Sequence, residues 1–124
     1  MKSAIAVVAV ITLILAGNAR AAGMPPTASE LGCTACHAID HKVLGPAWVD
    51  VSKKYKGQTT YKYSSYGSDT AEAKELPLVD GLVMKVSKGG SGNWGPQPMP
   101  ANNPTGTKKD KIKSLVEFIL ALAK

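Results

Sequence analysis

Cysteine is scarce in this chain: two residues in 124, too few for the disulfide scaffold of a small secreted domain. Aromatic side chains are scarce as well. Trp48, Trp94, Tyr55, Tyr61, Tyr63, Tyr66 and Phe118 make up 6% of the residues, so the centre of the fold lacks its usual bulky filling. Acidic residues number 9 against 15 Lys+Arg, for a formal charge of +6. The longest apolar run, Ala4 to Ala16 with only Thr12 interrupting it, excludes a multi-span membrane protein. There is no internal repeat, no heptad pattern and no Gly-X-Y period, which excludes a solenoid, a coiled coil and a collagen. What remains is 44% hydrophobic and 19% charged, the balance of one globular domain. With 12 Gly and 8 Pro it is rich in turns, and such a domain needs a staple or a cofactor at its centre.

The N-terminus has the pattern of an export signal. Lys2 supplies a positive start, Ala4 to Ala16 an apolar core too short to span a bilayer, and Ala19-Arg20-Ala21 small residues at a cleavage site. Cleavage after Ala21 is expected, with residues 1–21 as signal peptide and 22–124 as the mature domain. That domain has 103 residues and, without Lys2 and Arg20, a formal charge of +4. Export places the two cysteines in an oxidising compartment, where they pair or are consumed by covalent chemistry.

Helical patterns dominate the rest. Thr27-Ala28-Ser29-Glu30 has the capping-box pattern and predicts a short helix from Leu31 to about Ala38. Pro46 suits the first position of a second helix, Ala47 to about Lys56, whose Trp48, Val51 and Tyr55 share a face, with Gly57 as its stop. Gln58 to Pro77 is less regular. Thr60-Tyr61-Lys62-Tyr63 alternates like a strand, so a hairpin or an irregular loop fits, and Thr70 to Glu75 reads as a short helix cut off by Pro77. A third main helix is expected from Leu78 to Lys88, broken by Gly89-Gly90-Ser91-Gly92. Asn93 to Gly106 is an extended ordered loop, and Thr107 to Asp110 resembles a capping box before a last helix from Lys108 to Lys124. Ile112, Leu115, Val116, Ile119, Leu122 and Ala123 form its broad apolar face.

The chemistry lies in Cys33-Thr34-Ala35-Cys36-His37, the C-x-x-C-H pattern of c-type haem attachment. Two thiols three positions apart on a helical turn reach the two vinyl groups of one porphyrin, and the following imidazole falls under the iron. A thioredoxin-like redox pair is the first competing reading, but no alternating strand-and-helix pattern surrounds it. A zinc site is the second; Cys33, Cys36, His37 and His41 fall within nine residues, too tight for the usual two-plus-two separation. A sixth ligand has to come from the opposite haem face, which His41, four residues from His37, is badly placed to reach. Of the methionines, Met24 sits beside the signal scar and Met84 lies within a helix. Met99 is held between prolines in Trp94-Gly95-Pro96-Gln97-Pro98-Met99-Pro100, where a stiff backbone lowers the entropy of fixing one side chain.

On these residues the sequence resembles the class I cytochromes c, of the small soluble bacterial monohaem type. The matching stretches are Leu31 to Asp40, Val43-Leu44-Gly45-Pro46-Ala47, and Gly89 to Pro100, about half of the mature chain. The resemblance implies an all-α cytochrome c fold, four to five helices around one covalently attached haem c, with His37 and Met99 as axial iron ligands. It implies that the Pro46 carbonyl accepts the second imidazole N–H, that the Trp94 indole meets a haem propionate, and that Asn102 donates to the ligand sulfur. The chain departs from the short family pattern at about 58–77, which looks like an insertion, and in the longer linker Asn103 to Gly106. Tyr61, Tyr63 and Tyr66 either shield a haem edge or pack that insertion, and packing is the preferred reading.

The function expected is one-electron transfer by a periplasmic carrier rather than an enzyme. His/Met ligation and apolar burial both raise the potential, so a positive midpoint is expected. Partners are redox proteins, a periplasmic donor and an acceptor such as an oxidase, reductase or dehydrogenase. Nucleic acid and a lasting membrane anchor are not expected, and the protein reads as a monomer. Lys53, Lys54 and Lys56, with Lys108, Lys109, Lys111 and Lys113, are a solvated surface or a weak steering field for an acidic partner face. The alternatives are a haem protein with a labile sixth site, acting as peroxidase or gas sensor, and a cytochrome subunit of a larger periplasmic oxidoreductase.

Overall fold

A computed structural model describes residues 23–123. The signal-peptide reading of residues 1–21 lies outside the described residues. Among these, four helices and one small sheet run in the order α1 (Pro26–Glu30), a 3-10 turn (Cys33–Ala35), α2 (Trp48–Tyr55), β1 (Thr60–Tyr63), β2 (Lys74–Pro77), α3 (Leu78–Lys88) and α4 (Lys109–Leu120). No described helix is long and apolar enough to cross a membrane.

α4 is the central element, with α1, α2 and α3 packed against it. Its stripe of Ile112, Leu115, Val116 and Ile119 is buried, as the 3.6-residue period requires. It meets Trp48 and Tyr55 of α2 and Leu82 and Val83 of α3 in a single core. Trp48 touches Phe118 edge-on, ring centres 6.4 Å apart. The side chain of Ser52 closes the end of α4. It is 1% exposed, donates to the Leu120 carbonyl at 2.9 Å and accepts the Ala123 N–H at 2.8 Å. Two backbone groups left over at a helix end thereby find a partner inside the core.

Several boundaries differ from the sequence expectations. The first helix begins at Pro26, preset for a first-turn position, and Thr27 forms no capping bond. It stops before the cysteines because Gly32 turns left-handed at φ +74°, so Cys33 opens a separate turn. Pro46 does not start α2; Ala47 caps it, and the N–H groups of Trp48 and Val49 donate to the carbonyls of Ala38 and Ile39. Pro46 is thereby left with a carbonyl free for another task. α4 is capped by Lys108 rather than Thr107, and the Asn103 side chain accepts the Lys108 N–H at 3.0 Å.

The 58–77 segment holds the main departure. Thr60–Tyr63 is a strand, as its alternation suggested, and its partner is Lys74–Pro77, antiparallel, with Tyr61 opposite Leu76. The helix expected over Thr70 to Glu75 is absent. Pairing with β1 instead satisfies the backbone of this stretch and lets Thr60 donate to Glu75 at 2.8 Å. The sheet lies on α3, which it can approach because Gly81 presents no side chain to Tyr61.

Candidate functional site

One cleft runs between the Cys33–Pro46 segment, α2, α3 and the loop from Gly90 to Pro100. Its cavity volume is about 230 Å³, and it opens to solvent. Leu44, Val51, Leu82, Val86, Val116 and Ile119 make its walls apolar.

His37 sits at one side. Its backbone N–H donates to Cys33 at 2.9 Å, closing the turn that carries both cysteines. Its Nδ1–H donates to the Pro46 carbonyl at 2.8 Å. A carbonyl only accepts, so the proton is on Nδ1 and Nε2 keeps a lone pair for a metal. Gly45 leaves room for the ring: a methyl group there would lie 2.5 Å from imidazole Cε1. Its N–H donates to the Cys36 carbonyl at 2.8 Å, so the turn and the ring are set together.

Met99 enters from the other end of the chain. Its backbone pairs with Gly90 through two 2.9 Å hydrogen bonds, and its side chain lines the same cleft as His37. Met24 and Met84 instead pack against the core and line no part of this cleft. His41 is exposed and bound to Asp40 at 2.8 Å; that contact holds the Asp40 carboxyl below its ordinary range.

The structure brings Cys36, His37, Pro46, Trp94 and Met99 to the cleft. Cys33 is buried in the core beside it, its thiol pushed up by burial and then by Cys36. Asn102 is not brought in: its amide donates to the Pro100 and Val86 carbonyls at 3.0 and 3.3 Å. Trp94 is 40% exposed, with the Lys54 ammonium 4.4 Å above its ring. The same ammonium donates to the Asn93 carbonyl at 2.7 Å, tying the loop to α2.

Tyr55, Tyr61, Lys85 and Asn93 also line the cleft, and of these only Tyr61 is a candidate from the sequence. Lys85 is half-buried, donates to the Gly90 carbonyl at 2.7 Å, and burial lowers its pKa. Its signal was present, a charge three residues after Leu82 and thus inside the apolar stripe of α3. Burial pushes the Tyr55 and Tyr61 phenols up; around Tyr55, the Tyr61, Trp94 and Asn93 side chains partly offset this. Tyr61 therefore both packs its segment and lines the cleft, Tyr63 is buried, and Tyr66 is 75% exposed.

The residues present fit a haem. The walls are apolar, an imidazole and a thioether share the space, and a thiol lies next to the imidazole in sequence. The Asn93 side-chain oxygen is buried with no partner. Turned about its amide, that side chain offers an N–H to a carboxylate such as a propionate, and Lys85 offers a positive charge.

Comparison with known proteins agrees. The chain is 38% identical over 89 residues to cytochrome c-551 of Azotobacter vinelandii, covering 72% of this chain and 84% of the relative. It is 42% identical over 100 residues to cytochrome c2 of Rhodocyclus tenuis, covering 77% and 87%. The chain belongs to the small bacterial class I cytochromes c. The crystal structure of Nitrosomonas europaea cytochrome c552 superposes with a TM-score of 0.57 at 30% identity, over 77% of this chain and 95% of that one. No family model matches. This cytochrome c is an electron-carrier protein with one covalently attached haem c, and its C-x-x-C-H motif fits that attachment. The cytochrome c fold here carries the small β1–β2 sheet beside its helices.

Proposed function

We propose that this cytochrome is an exported one-electron carrier of the periplasm, with cleavage after Ala21 releasing the 22–124 domain. Cys33 and Cys36 hold the haem through thioethers, and His37 and Met99 are the axial ligands. The observation that supports this best is that His37 and Met99, from distant parts of the chain, line one apolar cleft. Haem c, when bound, supplies the Fe(II)/Fe(III) couple.

The protein's own residues set the conditions for that couple. Pro46 orients the His37 ring and makes its free nitrogen more basic. The Met99 thioether, a soft ligand, favours the reduced state and raises the potential. Leu82, Val86, Val116 and Ile119 give the cleft an apolar lining, which penalises the extra positive charge of the oxidised centre. Trp94, Asn93 and Lys85 provide the polar rim for the propionates. With His37 and Met99 both holding the iron, no position would be left there for a substrate; the reading is therefore a carrier between a periplasmic donor and acceptor rather than an enzyme, and a monomer.

The test is the optical spectrum of the mature protein, oxidised and reduced, with and without carbon monoxide. A low-spin haem c spectrum with a methionine-to-ferric-iron charge-transfer band, unmoved by carbon monoxide, supports the closed carrier. A high-spin spectrum or ready carbon monoxide binding overturns it in favour of a labile sixth site.

A further inference from the structure

The loop that carries Met99 is an unpromising support on its own. Gly89, Gly90, Gly92 and Gly95 all have positive φ, and such a glycine-rich chain loses much entropy when held in one conformation. Yet Met99 hangs on it, through the two backbone bonds to Gly90. What backs this loop is the 63–70 turn of the segment that looked like an insertion. The Ser91 N–H donates to the Ser65 carbonyl at 3.0 Å, and the Tyr63 hydroxyl donates to the Gly89 carbonyl at 3.3 Å. The approach is too close for side chains. A methyl group on Gly90 would lie 2.6 Å from the Ser65 oxygen, and one on Gly92 would lie 2.5 Å from the Tyr66 oxygen. One on Gly67 would lie 3.2 Å from Gly92 Cα.

The turn is itself locked. Ser64, 5% exposed, donates to the Gly67 carbonyl at 2.6 Å and accepts the Tyr66 N–H at 3.2 Å. The Thr70 hydroxyl donates in turn to Ser64 Oγ at 2.6 Å. Three backbones thus lie side by side: the 64–67 turn, the Gly90-Ser91-Gly92 segment, and Met99.

We propose that the 63–70 turn is a positioning element for the axial methionine, clamping Gly90–Gly92 so that Met99 stays in the cleft and resists displacement. This rests on the reading of Met99 as an iron ligand. Glycines in this loop then serve close packing rather than mobility, and Ser64 acts on the ligand only through the backbones between them.

The experiment uses the haem-loaded protein and imidazole as probe. The rate at which imidazole displaces methionine from ferric iron is followed by loss of the charge-transfer band. Ser64→Ala unlocks the turn, and Gly67→Ala inserts a methyl group between turn and loop. Each is expected to speed displacement about tenfold, the effect of losing one buried hydrogen bond or its equivalent. Ile112→Val, in the core of α4 and outside the cleft, is the control for general loss of stability and stays within about twofold of the unmodified protein. If one turn variant does not fold, the other decides. Rates within about twofold for the turn variants, or equal acceleration in Ile112→Val, overturn the clamp alone. A charge-transfer band missing from the unmodified protein, or retained in Met99→Ala, overturns the ligand assignment and the clamp with it.

Discussion

The Nδ1–H of His37 donates to the carbonyl of Pro46 at 2.8 Å, and the intervening Gly45 lies flat against the same imidazole. Gly45→Ala places a methyl group 2.5 to 2.9 Å from three ring atoms. The ring must tilt or the chain must move, so the variant is expected to lose about 1–3 kcal/mol of stability. A high-spin fraction in its ferric spectrum, absent from the unmodified protein, checks that the loss falls on the ligand.

Gly81 allows Tyr61 to lie against α3. Alanine is the better helix former by about 1 kcal/mol, which alone predicts stabilisation. Here the added carbon meets Tyr61 Cβ at 2.7 Å and Cδ1 at 2.8 Å. The clash outweighs the propensity, and Gly81→Ala is expected to be net destabilising by about 1–2 kcal/mol in denaturant titration.

Ser52 serves two backbone groups at the end of α4 from within the core. Ser52→Ala leaves the Leu120 carbonyl and the Ala123 N–H without this partner, at a cost of about 1–3 kcal/mol. Faster amide exchange at Ala123 than at Ile112 locates the loss at the helix end.

Burial raises the Tyr61 and Tyr55 pKa values above their ordinary 10.0. In the unfolded chain these phenols ionise from about pH 10, while in the folded protein they stay protonated. Their contribution is complete below that pH and is lost as pH rises towards the folded values, by up to about 1 kcal/mol per pH unit for each. Stability measured between about pH 9 and 11 is expected to fall, and to fall less steeply in Tyr61→Phe.

Lys108, Lys109, Lys111 and Lys113 are exposed at the start of α4. Lys111 is paired with Glu30 at 2.8 Å, so the field it offers is partly cancelled. Electron transfer to an acidic partner protein is expected to slow as salt is raised, with a weaker dependence in Lys109→Gln. A rate indifferent to ionic strength counts against steering.

The haem-attachment motif, the Met99 loop and three of the four helices were legible because each is written locally. The 3.6-residue stripe of α4 and the glycine break after α3 are properties of neighbouring residues. Helix ends were less legible where distant groups supply the caps. Thr27 and Thr107 have the right pattern and form no capping bond, while α2 is started by carbonyls of the Cys36–Asp40 region and α4 by Asn103. Pro46 does not start α2, although its carbonyl makes the contact with His37 that the family resemblance implied, and Asn102 bonds to Val86 and Pro100 instead.

The sequence by itself determined the cofactor chemistry, because C-x-x-C-H needs only the covalent spacing of one turn, and the prolines beside Met99 stiffen the chain at that residue. Tertiary structure decided what the 58–77 segment is for. Lys74–Pro77 becomes a strand only because β1 is present to pair with it, and the 63–70 turn backs the Met99 loop only because glycines on both sides let the backbones meet. Burial of Tyr61, Lys85 and Asn93 beside His37 and Met99 likewise arises from the packing of α3 against α4 and β1. Local sequence carries spacing and stiffness; which backbones come into contact depends on the burial of apolar surface from the whole chain at once.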